Sequence, residues 1–284
     1  MGVKNLKYIS PGGWFSLEYP ATWHEFEDTE DTFLFYNPDE WTGNFRISAY
    51  KDEDRGYARQ CVSDELADNP SASLKKVGRW ECAYSAETFQ EGGAWYTTHI
   101  WVTGEGCLCF ECSFTVPKGG DKKAAEDIIA SLQVRTGREP KEIIPIRVLE
   151  IGEVNNAYEW VSVTVKKQLT KDFTASEADL DSIRQVMDSG RFQKQQRMAW
   201  ENFGMAFGVI LVNEMEGMEW VTVIDGPKEY AALQFCQSDM LIDPAALVWD
   251  KVRKGLPCDL KSEFGKIKRE AEAVLDDLDN QNKQ

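Results

Sequence analysis

Four runs rich in β-branched and aromatic residues follow one another at residues 74–80, 82–88, 94–102 and 107–116. Glycine turns part them, Glu91-Gly92-Gly93 after the second and Gly104-Glu105-Gly106 after the third. Parallel pairing needs a crossover of roughly a dozen residues or more between strands, and these turns leave no room for one. The stretch therefore predicts a meander of about four antiparallel strands.

Upstream, Trp14-Phe15-Ser16-Leu17-Glu18-Tyr19 alternates large apolar with small or polar side chains and stops at Pro20. Residues 32–36 and 44–50 are also rich in aromatic or β-branched types, so three strands are expected before residue 51. Asp52-Glu53-Asp54 then supplies a cap and first-turn acids for a helix. Tyr57, Ala58, Cys61, Val62 and Leu66 recur along it at helical spacing until Asn69-Pro70 stops it. A second helix carries Ala124, Ile128, Ile129 and Leu132 and ends near Thr136-Gly137. The order strands, helix, strands, helix is that of an α+β domain, an antiparallel sheet with flanking helices.

The opening "WFSLEYPATWHEFEDTEDTFLFYNP", the strand and helix order after it, and the closing helix "AAEDIIASL" carry a resemblance. They are similar to the PsbP-like fold shared by photosystem extrinsic proteins, Ran-binding relatives and several bacterial domains, over about residues 8–136. The resemblance implies a scaffold that binds proteins or ligands and brings no shared catalytic residues. A fold by itself does not set a function.

The polar run from Thr136 to Pro145 is broken by Gly137 and Pro140, which places a domain boundary there. The expected domains are residues 1–138, PsbP-like, and residues 139–284, a second α+β domain. Within the latter, residues 147–151 and 160–166 read as strands joined by a turn at Asn155-Asn156. Thr174-Ala175-Ser176-Glu177 fits a capping box ahead of Leu180, Ile183 and Met187. A long helix over residues 193–213 carries Gly204 and Gly208 four apart, which exposes backbone for another element to pack closely. A hairpin turns at Asp225-Gly226-Pro227, Asp243 caps a helix with Pro244 at its first position, and Ser262 opens a last helix with Phe264, Ile267, Ala271, Val274 and Leu278 on one face. Residues 172–265, from "ENFGMAFGVILVNEMEGMEWVTVIDGPKEYAAL" through "DPAALVWDKVRKGLPCDL", resemble a bacterial domain family of unknown function.

Charge bounds the partners. The chain has 48 acidic against 32 basic residues, a net charge of −16, split as −9 over residues 1–140 and −7 over the remainder. Nucleic-acid binding needs Lys and Arg to displace counterions, so neither DNA nor RNA is expected as a ligand. An acidic surface also repels anionic membranes and favours basic partners. Ser10-Pro11-Gly12-Gly13 interrupts any leader-like apolar stretch near the start, and no later window approaches a membrane span. The chain therefore reads as cytoplasmic, with no membrane contact, and seven cysteines agree with a reducing compartment.

Catalytic chemistry finds little to work with. Cys107-Leu108-Cys109-Phe110-Glu111-Cys112 lies on an expected strand, whose alternation sends Cys112 to the opposite face from Cys107 and Cys109. No second ligand pair accompanies it, so neither a metal nor any other cofactor is expected. With two histidines in the chain, a cysteine nucleophile has only His24 or His99 to activate it, and His99 with Cys109 is the pair the strand order allows. No phosphate-binding glycine loop and no Gly-x-Ser-x-Gly elbow occurs.

The densest charge is Glu25, Glu27, Asp28, Glu30 and Asp31, flanked by Trp23 and Trp41. Aromatic anchors rimmed by charge suit a protein interface, so these seven residues form the candidate site, for a basic protein partner. The expected function is that of a non-catalytic binding or adaptor protein, in concrete form toxin-neutralising or secretion-chaperone-like. The alternatives are a hydrolase using carboxylates or Cys109 with His99, and a small-ligand carrier using the aromatic sheet.

Overall fold

The computed structural model describes residues 4–26 and 32–281. Contacts divide the chain into two compact units, Met1–Ile144 with Ile224–Pro227, and Pro145–Val223 with Lys228–Gln284.

The first unit runs β1 (Asn5–Ile9), β2 (Phe15–Pro20), β3 (His24–Phe26), β4 (Thr32–Tyr36), β5 (Asn44–Lys51), α1 (Tyr57–Asp68), β6 (Ser73–Val77), β7 (Trp80–Glu91), β8 (Ala94–Glu105), β9 (Leu108–Pro117), α2 (Lys123–Ser131), β10 (Gln133–Val134) and β11 (Glu142–Pro145). Seven strands form one sheet in the order β3-β4-β5-β9-β8-β7-β6, with every pairing antiparallel. A smaller sheet, β1-β2-β10, is antiparallel too. The meander is thus present, and the first unit is an α+β fold with helices against an antiparallel sheet.

Alternation along the strands fixes two unlike faces. The inner face sends Phe35, Phe45, Ile47, Trp101, Phe110, Cys112 and Phe114 into a core shared with Tyr8, Phe15 and Leu17 of the small sheet and with Ala125, Ile128 and Ile129 of α2. The outer face is covered at one end by α1, where Tyr57, Cys61, Val62 and Leu66 pack over Ala83, Val102 and Cys109. Beyond α1 the outer face is open. The acids ahead of α1 act before the helix rather than in its first turn: Asp52 Oδ1 accepts from the Asp54 N–H and Asp54 Oδ1 from the Gly56 N–H.

The second unit begins with a correction. Residues 148–169 form one helix, α3 (Val148–Leu169), and not two strands around Asn155-Asn156. The run Val161, Val163, Val165 alternates as a strand would, but the apolar side chains α3 buries are Val154, Ala157, Val161 and Val165, at helical spacing, and Val163 is 50% exposed. Packing of that stripe against the next long helix outweighs the small intrinsic cost of β-branched residues in a helix. Trp160 consequently sits on a helix rather than a strand, edge-on to Phe203 at 5.4 Å.

α4 (Leu180–Met187), α5 (Arg197–Glu214), β12 (Met218–Asp225), β13 (Lys228–Phe235), β14 (Leu241–Ile242), α6 (Pro244–Lys254) and α7 (Leu260–Gln281) follow. The capping box ahead of α4 lies two residues later than expected: Ser176 is the cap, and the Asp179 carboxylate collects the backbone N–H groups of Thr174 and Ser176 and the Thr174 hydroxyl. Asp259, not Ser262, starts α7, accepting from the N–H groups of Lys261 and Ser262. At α6 the expected device is present, with Asp243 Oδ1 2.8 Å from the Ala246 N–H, Pro244 in the first turn and Gly255 left-handed at the end. Asp243→Ala removes that acceptor and is expected to cost about 1 kcal/mol of stability in urea denaturation.

Gly204 and Gly208 of α5 face α6 and Trp220. A Cβ on Gly204 would stand 2.1 Å from the Pro244 carbonyl oxygen, and one on Gly208 would stand 2.6 Å from the Trp220 ring. The glycine pair serves close packing around Phe203, Phe207, Ile210 and Leu211, all fully buried.

Candidate functional site

The open part of the large sheet's outer face is the most unusual surface of the first unit. Cross-strand register places Phe26 with Leu34 and Arg46, and Tyr36 with Asn44 and Thr115, on the side away from the core. Phe26 is 53% exposed and meets Tyr36 edge-on, with ring centres 5.9 Å apart. Trp41, in the β4–β5 connection, is 41% exposed and stands edge-on to Tyr96 at 5.9 Å. Its indole N–H donates to Asn44 Oδ1 at 2.5 Å, which fixes the ring. Trp41, Asn44, Phe89, Glu91, Tyr96 and Thr115 enclose a groove of about 240 Å³.

Local sequence explains how the strands of this surface are tied together. Asn44, Thr98, Thr115, Thr32 and Ser48 occupy outward positions, and paired hydroxyls tie neighbouring strands, Thr98 to Thr115 at 2.8 Å and Thr32 to Ser48 at 2.9 Å. The aromatic rings therefore stand on a hydrogen-bonded polar floor. Single exposed apolar residues are ordinary, whereas two aromatic groups on one face, Phe26 with Tyr36 and Trp41 with Tyr96 and Phe89, mark an interaction surface.

The structure separates the seven residues singled out from the sequence. Trp41 is on the open face. Trp23 is not a surface anchor: it is 5% exposed, stacked on Phe114 at 6.0 Å on the core side. Glu25 lies opposite Phe35 in the β3–β4 register, on the core-facing side, where its charge adds to burial in pushing the Tyr19 phenol up to about 12. Glu27, Asp28, Glu30 and Asp31 lie outside the described residues. Phe26, Tyr36, Phe89 and Tyr96 were not singled out. Their signal was strand alternation, which puts Phe26 and Trp23 three apart and hence on opposite faces.

The cysteine and histidine pairing is not formed. In the β8–β9 register His99 faces Phe114 while Cys109 faces Gly104, five residues away, about 16 Å along a strand. His99 Nδ1 instead meets the Tyr84 hydroxyl at 2.8 Å. Burial raises the Cys109 thiol, as it does Cys112 and Cys82, the last to about 11, which is the opposite of what an activated nucleophile requires. Cys107 is in the turn before β9, Cys109 packs beneath α1, and Cys112 lies in the inner core, so the three thiols do not converge. Among the described residues no group of three or more His, Cys, Asp or Glu side chains is placed to hold a metal ion.

Two other features stand out from the surface and the core. An open groove of about 680 Å³ beside α1 is lined by Arg59, Val62, Leu66, Lys76, Arg79 and Trp80, and Arg79 is paired with Glu105 at 2.9 Å. In the second unit, Arg147 and Glu150 form a buried ion pair at the start of α3, joined by Glu229 of β13 and Thr222 of β12. Burial would push the guanidinium down, but the carboxylates outweigh it and hold Arg147 above the ordinary range. Every group of this cluster is bonded to another, which makes it a structural clamp. None of the described helices is long and apolar enough to cross a membrane.

Comparison with known proteins places the chain. A crystal structure from Bacteroides thetaiotaomicron VPI-5482 is 51% identical, matches 92% of this chain and 97% of that one, and superposes with a TM-score of 0.88. The solution structure of cyanobacterial PsbP (CyanoP) from Synechocystis sp. PCC 6803 is 16% identical over 48% of this chain and 95% of that one, with a TM-score of 0.27. LpqN of Mycobacterium tuberculosis, a protein involved in cell envelope biogenesis, is 13% identical over 48% and 93%, with a TM-score of 0.29. Neither of these two distant likenesses speaks to what the chain does. No curated protein matches it. Residues 179–264 match a second family, Domain of unknown function (DUF3806). Residues 3–155, more than half of the chain, match the family Domain of unknown function (DUF3805), and the chain belongs to that family.

Proposed function

We propose that the protein is a non-catalytic binding protein whose open sheet face docks a basic segment of another protein. The observation that carries this reading is the group Phe26, Tyr36, Trp41 and Tyr96, rings held in fixed geometry on a face that α1 leaves uncovered. Rigid, amphipathic aromatic rings are the usual anchors of protein interfaces. A groove of about 240 Å³ is below the roughly 300–1,000 Å³ typical of small-ligand pockets and suits one inserted side chain, which favours a protein partner over a carrier role.

Charge supports a basic partner. Glu87 and Glu111 lie outward on β7 and β9, Glu91 lines the groove, and the link between β3 and β4 contributes Glu27, Asp28, Glu30 and Asp31 by sequence. With a chain charge of −16, encounter with a cationic segment is accelerated and with an anionic one suppressed. Toxin neutralisation or secretion chaperoning is the concrete form of this role, since either places a basic partner chain against such a face, in the cytoplasm. The element order of strands, helix, strands, helix supports the PsbP-like reading of the first unit, as a scaffold for binding.

Panning the immobilised protein against a displayed peptide library tests the proposal. Enriched peptides are expected to combine Lys or Arg with one large apolar side chain, and Trp41→Ala/Tyr96→Ala is expected to weaken them by about tenfold or more. Selection of acidic peptides, or peptides that bind the double variant equally well, would overturn it.

A further inference from the structure

The inner face of the large sheet ends, near the start of α2, in a group of polar side chains at the rim of the core, around Tyr84 and Trp101, that the docking face does not use. Lys75 of β6 places its Nζ 3.5 Å from the centre of the Tyr84 ring. Lys122, at the N-cap of α2, places its Nζ 5.0 Å from the same ring and 5.7 Å from the Trp101 ring. His99 lies parallel to Tyr84, with ring centres 6.0 Å apart, and shares a hydrogen bond with its hydroxyl.

In a chain with an excess of carboxylates, this corner has an excess of cations. Among the described residues Glu126 is the one carboxylate in it, and it is bonded to Lys122. Lys75 makes no ion pair among the described residues. Its ammonium is held below the ordinary lysine range by burial and then by the like charge of Lys122. The fully buried Trp101 beside it has an indole N–H without an acceptor among the described residues. Two ammonium groups approach one ring, the one carboxylate beside them is bonded to Lys122, and the charge of Lys75 is left unanswered among the described residues.

His99 completes the donor set. Burial, then Lys122 and Lys75, hold the imidazole below its ordinary range, so it is neutral near pH 7. Burial raises the Tyr84 phenol, and in the His99 tautomer with a bare Nδ1 the phenol is the donor of their shared 2.8 Å hydrogen bond. A neutral ring that accepts at Nδ1 carries its own proton on Nε2, a donor.

From this geometry we propose that Lys75, Lys122 and His99 form a binding site for a phosphoryl group, as free phosphate or a small phosphomonoester. A dianion supplies the counter-charge that Lys75 lacks and Lys122 has only in part from Glu126, and its several acceptor oxygens can take Nζ–H and Nε2–H bonds together. The site uses side chains from β6, β8 and the start of α2, not a glycine loop.

The His C2–H resonances report on it directly, because the chain has two histidines and His24→Gln leaves only His99. The variant is titrated with pH at constant ionic strength, with and without inorganic phosphate at about 20 mM, a level suited to millimolar affinity. Bound phosphate is expected to shift the His99 resonance and raise its apparent pKa by about half a unit or more, since an adjacent anion favours the imidazolium. O-phospho-L-serine is expected to act likewise if monoesters are taken, and acetate to act more weakly. Lys75→Gln and Lys122→Gln are each expected to weaken phosphate by about fivefold or more. In the absence of phosphate, either variant is also expected to raise the His99 pKa, and an unchanged urea transition verifies that the fold persists. No His99 response to phosphate, or an undiminished response in a Lys75→Gln/Lys122→Gln variant, would overturn the proposal.

Discussion

Arg147→Met is expected to destabilise the second unit by about 3–5 kcal/mol, the largest effect of any single polar substitution in it. Arg147 and Glu150 are 1% and 2% exposed, and the guanidinium bonds to both Glu150 oxygens and to Glu229 at 2.8 Å. Thr222, also buried, donates its hydroxyl to Glu150 at 3.0 Å while accepting the Arg147 backbone N–H at 3.1 Å. Removing the guanidinium leaves a buried carboxylate with one hydroxyl donor in place of a cation, and desolvation of that charge is no longer offset. Arg147→Met/Glu150→Met, which removes both charges and keeps apolar volume, is expected to recover most of the loss. Urea denaturation of the single and double variants decides this. A double variant no more stable than the single one would show that the pair does not act as a coupled clamp.

The second large effect is at Gly204. Alanine there would place a methyl group 2.1 Å from the Pro244 carbonyl oxygen and 2.8 Å from Ala245 Cα, both backbone atoms of α6. Neither can turn aside as a side chain would, so α5 and α6 must separate. Overpacking of this kind costs about 3 kcal/mol, and the gain in helix propensity returns only about 1 kcal/mol. Gly152 of α3 is the control, because nothing lies within 4 Å of a Cβ there. Gly152→Ala is expected to stabilise by about 0.5–1 kcal/mol. Opposite signs at two helical glycines, measured by the same urea transition, would establish that the Gly204 effect is steric.

What the sequence made legible was local. The meander, the Asp243-Pro244 start of α6 and the Gly255 stop each follow from a few adjacent residues and are present at or near the expected positions. The α3 segment was misleading because Val161-Ser162-Val163-Thr164-Val165 satisfies both periods at once, and only the packing of Val154, Ala157, Val161 and Val165 distinguishes them. The candidate site shows the same limit. Trp23 and Trp41 read alike as aromatic residues near acids, but the face each takes depends on register with β9 and on what covers the sheet. The Lys75, Tyr84, His99 and Lys122 corner joins four elements up to 47 positions apart, and no spacing in the sequence brings them together.

Hydroxyl-radical footprinting of the protein, alone and with a selected basic peptide bound, tests the central claim most directly. Phe26, Tyr36, Trp41 and Tyr96 are expected to lose reactivity on binding, while Trp95, exposed on the opposite parity of β8 and beneath Lys118, is expected to keep it. Unchanged oxidation of Trp41 with the peptide bound, or protection at Trp95 in its place, would contradict it.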